Sequence, residues 1–126
     1  MNRKPRDADS GGDGAVVRQG DLTLIRDDFL STTGIPERSV DLIVTSPPYN
    51  VSIEYGVVRD DISYSEYLEF TRRWLERARA FSRDDGRLCL NIPLDKNLGG
   101  QQPVYGDILQ LARKAGWHYH STIIWN

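Results

Sequence analysis

Cysteine is nearly absent: the 126 residues hold one, Cys89. A single thiol excludes a disulfide framework within the chain and fits a reducing, cytoplasmic compartment. It falls inside the apolar run RLCLNIP, where a buried core thiol is the expected state. Long hydrophobic runs are missing as well. None approaches the roughly 18 residues of a membrane span, and no secretory signal is visible. Basic charge is not in excess either. Sixteen Lys and Arg against 18 Asp and Glu leave a formal charge of −2, which argues against a stand-alone electrostatic binder of nucleic acid. Metal ligands are sparse. His118 and His120 alternate on one face of a strand-like stretch with no third ligand at a recognisable spacing, so no metal site is expected. No internal repeat is visible.

What is present suffices for one small domain, with 39% apolar residues to build a modest core. Residues 1 to 14, MNRKPRDADSGGDG, are polar and glycine-rich and read as a disordered tail. Order is expected from Ala15, with a short strand or hairpin around Gly20-Asp21. The continuous apolar run VDLIVTS, residues 40 to 46, reads as a strand covered on both faces. A long loop, PPYNVSIEYGVVRDDI, comes next. Ser63-Tyr64-Ser65-Glu66 then matches a capping box. Behind it Tyr67, Leu68, Thr71, Trp74, Leu75, Ala78 and Phe81 recur at helical spacing. Gly86 is the expected stop before a second buried strand in GRLCLNIP. Pro103 and Gly116 bracket a second helix. The terminal WHYHSTIIWN reads as a third strand. Such alternation points to an α/β fold with a parallel, doubly wound sheet. A chain stopping inside an apolar strand reads as truncated or split.

The junction TSPPY carries the chemistry. Ligands of open parallel sheets bind outside the carboxyl ends of strands, where Ser46 to Tyr49 would lie. Pro47 removes a backbone donor and restricts the residue before it, and Pro48 extends that rigidity. The Ser46 hydroxyl and the Pro47 carbonyl can both accept hydrogen bonds, while Tyr49 offers a flat face for stacking. Two acceptors beside a stacking plate suit a planar group bearing an NH2, such as the exocyclic amine of adenine or cytosine. Acceptors on both N–H bonds would stabilise the positive charge that grows as the nitrogen attacks an electrophile. A base within a duplex would have to flip out to arrive there. Spacing alone favours an ordinary strand followed by a proline-rich turn, with Tyr49 as a partly buried aromatic; the composition of the motif is what turns the reading towards the amine cradle.

TSPPYN after a buried strand resembles motif IV of the DNA amino-methyltransferases that act on N6 of adenine or N4 of cytosine. ERSVDLIVTSPPYNVSIEY is similar to the family's approach to and exit from that motif. The segments from SYSEYLEF to NLGG and from PVYGDILQ to STIIWN are similar to the regions downstream of motif IV in site-specific members with the β-type motif order. The resemblance covers residues 16 to 126. It implies a partial Rossmann-like fold using S-adenosylmethionine, with residues 15 to 126 as the catalytic half of a methyltransferase domain. It further implies that Ser46 and the Pro47 carbonyl bind the target amine, that Pro48 holds the loop, and that Tyr49 stacks on the flipped base. Asn50 would support the loop, and Asn91 and Pro93 would line the same rim. Asp95 is a further rim position better read as a turn residue. Asp21 is either a turn aspartate or the family's strand-end acidic residue near the cofactor. Serine at position 46 leans towards N4-cytosine, with N6-adenine next. Being a poor general base, it leaves the proton to depart to water after methyl transfer.

The sequence also departs from the family. The glycine-rich cofactor loop and the target-recognition region, both placed after motif IV in the β-type order, are missing. Cofactor binding is therefore expected to be incomplete, with no measurable affinity in the chain alone. The expected partners are double-stranded DNA and a C-terminal half carrying the loop. Most phosphate-contacting Lys and Arg would lie in that half. Arg72, Arg73, Arg77, Arg79 and Arg83 read instead as the solvated face of one helix. Two alternatives stay open: a non-catalytic remnant or scaffold subunit of a split methyltransferase, and a methyltransferase acting on RNA or on a protein amide.

Overall fold

The computed structural model describes residues 15–49, 62–95 and 101–125. The expected disordered tail and most of the long loop after Tyr49 lie outside these residues. The chain divides into two compact units, Met1–Gly34 and Ile35–Asn126.

The first unit is a β-hairpin of β1 (Ala15–Gln19) and β2 (Leu22–Arg26), paired antiparallel with Gln19 opposite Leu22. Gly20 and Asp21 form its turn. Gly20 takes φ 57°, whereas Asp21 stays at negative φ. Glycine at the first turn position with positive φ is the pattern of a type II′ turn, whose twist matches the strands. Beyond β2, the Asp28 carboxylate accepts from the Leu30 amide at 2.9 Å and its carbonyl from the Thr32 amide at 2.8 Å.

The second unit is a β–α–β arrangement extended by a further helix. β3 (Val40–Thr45) and β4 (Ser82–Leu90) pair in parallel, joined through α1 (Tyr64–Phe81); α2 is Val104–Lys114. The capping box forms as the sequence indicates. Ser63 Oγ accepts from the Glu66 amide while the Glu66 carboxylate accepts from the Ser63 amide at 3.0 Å. Such caps contribute about 1 kcal/mol. Along α1, Tyr67, Thr71, Trp74, Leu75, Ala78 and Phe81 are buried and Leu68 is half-buried.

Helix α1 ends earlier than a stop at Gly86 would allow. The chain enters β4 directly at Ser82, because the Arg38 and Ser39 amides donate to the Ala80 and Phe81 carbonyls at 3.0 and 2.9 Å. Orphan carbonyls of the last turn are thereby satisfied by backbone. Gly86 serves a register shift in β4 instead: Val40 faces Ser82, but Leu42 faces Arg87. A Cβ at Gly86 would collide with Ser82 Oγ and stand 3.0 Å from the Val40 carbonyl oxygen. Gly86→Ala is expected to cost about 1–3 kcal/mol through that overpacking, read as a lowered urea midpoint with an unchanged m-value. Past α2, Gly116 at φ 95° completes a Schellman cap, with Trp117 N donating to Ala112 O and Gly116 N to Arg113 O.

Helices α1 and α2 pack together around Tyr67, Val104 and Ile108, and Leu90 of β4 packs against this cluster. Tyr64 Oη donates to Asp107 Oδ2 at 2.6 Å, tying the first turns of the two helices. Burial first, and the Asp107 carboxylate second, push the Tyr64 hydroxyl well above the usual tyrosine range.

Three expectations fail. The sheet is not covered on both faces: Leu42 and Val44 are exposed on the side opposite Leu90. Cys89 is exposed rather than buried, because the parallel register sets it beside Val44 on that bare face. Residues 117–125 form no strand, since among the described residues β3 and β4 pair only with each other. Side chains hold that stretch instead. Trp117 Nε1 donates to the Leu75 carbonyl, and Thr122 Oγ1 lies 2.9 and 3.0 Å from the Tyr105 and Tyr119 hydroxyls.

Candidate active site

Parallel pairing decides what stands at the carboxyl ends of β3 and β4. The register Thr45↔Leu90 brings the next residues, Ser46 and Asn91, to the same edge. The Asn91 amide donates to the Thr45 carbonyl at 3.0 Å, carrying the ladder one step past the strands. Both chains then meet proline, at Pro47 and Pro93. The edge is therefore rigid on both sides, since each ring fixes φ and leaves no amide to pair.

On this edge Ser46 is exposed, Pro47 is buried, and Pro48 and Tyr49 are half-buried. Ser46 Oγ lies 2.7 Å from Tyr49 Oη. Tyr49 Oη in turn donates to the Asn91 carbonyl at 3.0 Å. A buried ring thus anchors the loop while a hydroxyl faces solvent. An exposed oxygen acceptor beside a fixed aromatic can orient and stack a planar amine.

Of the residues expected here, Ser46, Pro47, Pro48, Tyr49 and Asn91 come together. Asn91 takes part through its backbone rather than its side chain. Pro93 is half-buried just beyond, and Asp95 is exposed. Asn50 lies outside the described residues. Asp21 occupies the hairpin turn of the first unit. The hydroxyl-to-carbonyl link from Tyr49 to Asn91 is a contact sequence reasoning missed. Its signal was the matched pair of strand ends, Thr45-Ser46-Pro47 and Asn91-Ile92-Pro93, which only the register aligns.

The arginine face of α1 is largely committed within the chain. Arg72 bonds Glu69 at 2.6 Å and Glu76 at 2.7 Å. Hydrogen bonding from Arg72 holds the Glu69 carboxyl below its ordinary range. Arg77 lies over the Phe81 ring at 4.4 Å, whereas Arg83, expected on the same helix, falls in β4 because α1 ends at Phe81, and pairs there with Asp41 at 3.3 Å. Among the described residues no group of three or more His, Cys, Asp and Glu gathers, and no helix is long and apolar enough to cross a membrane.

A parallel β–α–β unit presenting Ser-Pro-Pro-Tyr at a strand end defines an α/β protein whose strand-end edge sets a serine hydroxyl beside a tyrosine. The family model described as DNA methylase, which covers N6 and N4 methyltransferases, matches residues 40–126. The chain belongs to this DNA amino-methyltransferase family. It is 57% identical over 105 residues to the type II methyltransferase M.MjaVI of Methanocaldococcus jannaschii, covering 83% of this chain and 54% of that protein. It is 30% identical over 91 residues to M.HpaI of Haemophilus parainfluenzae, covering 72% of this chain and 27% of that one. A third type II methyltransferase, M.ScaI of Streptomyces caespitosus, is 34% identical over 73 residues, 57% of this chain and 23% of its own length. The chain thus spans about half, or less, of the curated relatives it matches. No solved structure matches.

Proposed function

We propose that this chain is the amine-binding half of a site-specific DNA methyltransferase with a Rossmann-like fold. In the whole enzyme it acts on the exocyclic amine of a flipped base, N4 of cytosine first and N6 of adenine second. The observation that carries the reading is the strand-end constellation of Ser46, the Pro47 carbonyl and Tyr49, braced by Asn91. Ser46 and the Pro47 carbonyl accept the two N–H bonds, and the Tyr49 ring stacks on the base. As nitrogen takes on positive charge, both acceptors strengthen their hold, which lowers the barrier. Neither removes a proton; it leaves to water. The restriction-modification setting follows from the type II relatives.

The methyl donor in this reading is S-adenosylmethionine, and the described residues do not make its cradle. Among the described residues the glycines at positive φ are Gly20 and Gly116. One lies in a hairpin turn and the other beyond a helix's carboxyl end. Neither opens a helix after a strand, where backbone amides gather around an anionic ligand. Asp21 is a candidate only for the edge of such a site. A C-terminal half bearing the glycine-rich loop and the target-recognition region completes the enzyme. The apolar face of Leu42 and Val44, 54% and 72% exposed, supports such a partner, because parallel sheets bury both faces. Ile123, Ile124 and Trp125, at 87%, 69% and 77%, support it too.

The test is complementation. The chain, co-purified with the C-terminal half of M.MjaVI, is given tritiated methyl donor and duplexes in which either cytosine or adenine is replaced by an analogue without the amine. Incorporation lost only with the cytosine analogue is expected. Loss only with the adenine analogue reassigns the base, and transfer to RNA or to a protein amide instead overturns the DNA reading.

A further inference from the structure

We infer that the Tyr49 hydroxyl is a positioning group that fixes Ser46 as a pure hydrogen-bond acceptor, so that the site admits an amino group and rejects an oxo group. The inference rests on the amine-binding role proposed above, and it comes from counting protons. A phenol has one O–H. The Asn91 carbonyl can only accept, so at 3.0 Å it takes that proton. Tyr49 Oη therefore has none left for Ser46, 2.7 Å away. The Ser46 hydroxyl must donate to Tyr49 Oη. Its own proton is thereby turned away from solvent, and its exposed oxygen presents lone pairs alone.

The chain of donation runs Ser46 to Tyr49 to the Asn91 carbonyl. Its far end is held by the Asn91 amide on Thr45, 3.0 Å away, so the acceptor is pinned to both strands. Without the phenol oxygen, the Ser46 hydroxyl can rotate and donate as readily as it accepts. With it, an N–H of cytosine or adenine meets a lone pair, while the oxo group of uracil or hypoxanthine meets lone pair against lone pair. Sites that fix donor and acceptor roles discriminate through the unpaired group left by the wrong partner. The aromatic ring and the hydroxyl of Tyr49 thus do separate work: one stacks, the other sets polarity.

Tyr49→Phe keeps the ring and removes the relay, and Ser46→Ala removes the hydroxyl it orients. In the complemented enzyme, Tyr49→Phe is expected to lower kcat about 3- to 10-fold, the scale of one hydrogen bond, with KM for DNA within about twofold. In the Ser46→Ala background the same change should alter kcat by less than about twofold, because coupled residues are not additive. Binding to a duplex with uracil or hypoxanthine at the target position should improve relative to the amino base in Tyr49→Phe. An equal loss in both backgrounds, or unchanged discrimination, overturns the inference.

Raman spectra of the 126-residue chain test the proton order without any activity. The tyrosine Fermi doublet, isolated as wild type minus Tyr49→Phe, should report a hydroxyl that both donates and accepts, and turn to donor-only in Ser46→Ala. A doublet unaffected by Ser46→Ala overturns the relay. If the complemented wild type methylates nothing, the functional reading falls and the Raman result still decides the relay.

Discussion

Methylation by the complemented enzyme is expected to fall roughly 100-fold when Tyr49 is replaced by alanine, since stacking of a base on an aromatic ring is worth about 1–3 kcal/mol and, in the proposed reading, the support of Ser46 is lost with it. Tyr49 sits on the edge of the sheet, half-buried, and its described hydrogen bonds go to Ser46 Oγ and the Asn91 carbonyl. Neither of these belongs to the core around Tyr67, Val104 and Ile108. Far-UV circular dichroism and the urea midpoint should therefore stay close to wild type. Full activity in Tyr49→Ala removes the stacking role. Lost activity with a collapsed urea midpoint assigns the ring to the fold instead.

The largest stability effect is expected at Phe81. Its side chain is 1% exposed, and its carbonyl accepts from the Ser39 amide at the point where α1 turns into β4. Phe81→Ala should cost about 3–5 kcal/mol through the cavity it leaves. Small domains are stable by only about 5–15 kcal/mol in total, so this one change removes a large share. The junction it supports also launches β4, which carries Asn91 to Ser46. Hydrogen exchange of the Asn91 amide, bonded to Thr45, should accelerate in step with global unfolding. Protection that survives the substitution would show the edge to be stabilised independently of the junction.

Local chemistry made much of this legible. The capping box at Ser63 and Glu66 needs only residues three apart, and the buried stripe of α1 comes from 3.6 residues per turn. Gly116 marks the end of α2 because the cap there requires positive φ. The gathering of Ser46, Pro47, Pro48 and Tyr49 at a strand end was readable because rigidity, acceptor capacity and a flat ring are local properties of those residues. Non-local facts were not readable. Cys89 sits in an apolar run that reads as core, yet only pairing with Val44 reveals that its face is bare. WHYHSTIIWN has the composition of a strand, but a strand exists only against a neighbour. Gly86 reads as a helix stop, whereas its use is the close approach to the Val40 carbonyl at the register shift. Asn91 reads as a rim residue, and only the register reveals that its carbonyl is the acceptor for Tyr49.

The bare face and the site share one strand. Leu42 and Val44 alternate with Ile43 and Thr45 along β3, so the strand that ends in Ser46 also presents the uncovered surface. A second half covering that surface would stand next to the amine cradle without rebuilding it. In the proposed whole enzyme, such a half would need to bring only the methyl donor and the contacts to DNA.

Nucleoside mass spectrometry of DNA from cells co-expressing this chain with the C-terminal half of M.MjaVI tests the central claim most directly. The account predicts a nucleoside methylated on its exocyclic amine, N4-methylcytosine before N6-methyladenine, present with the wild-type chain and lost with Tyr49→Ala. Methylation on a ring carbon, or an amine-methylated nucleoside that persists undiminished with Tyr49→Ala, would contradict it.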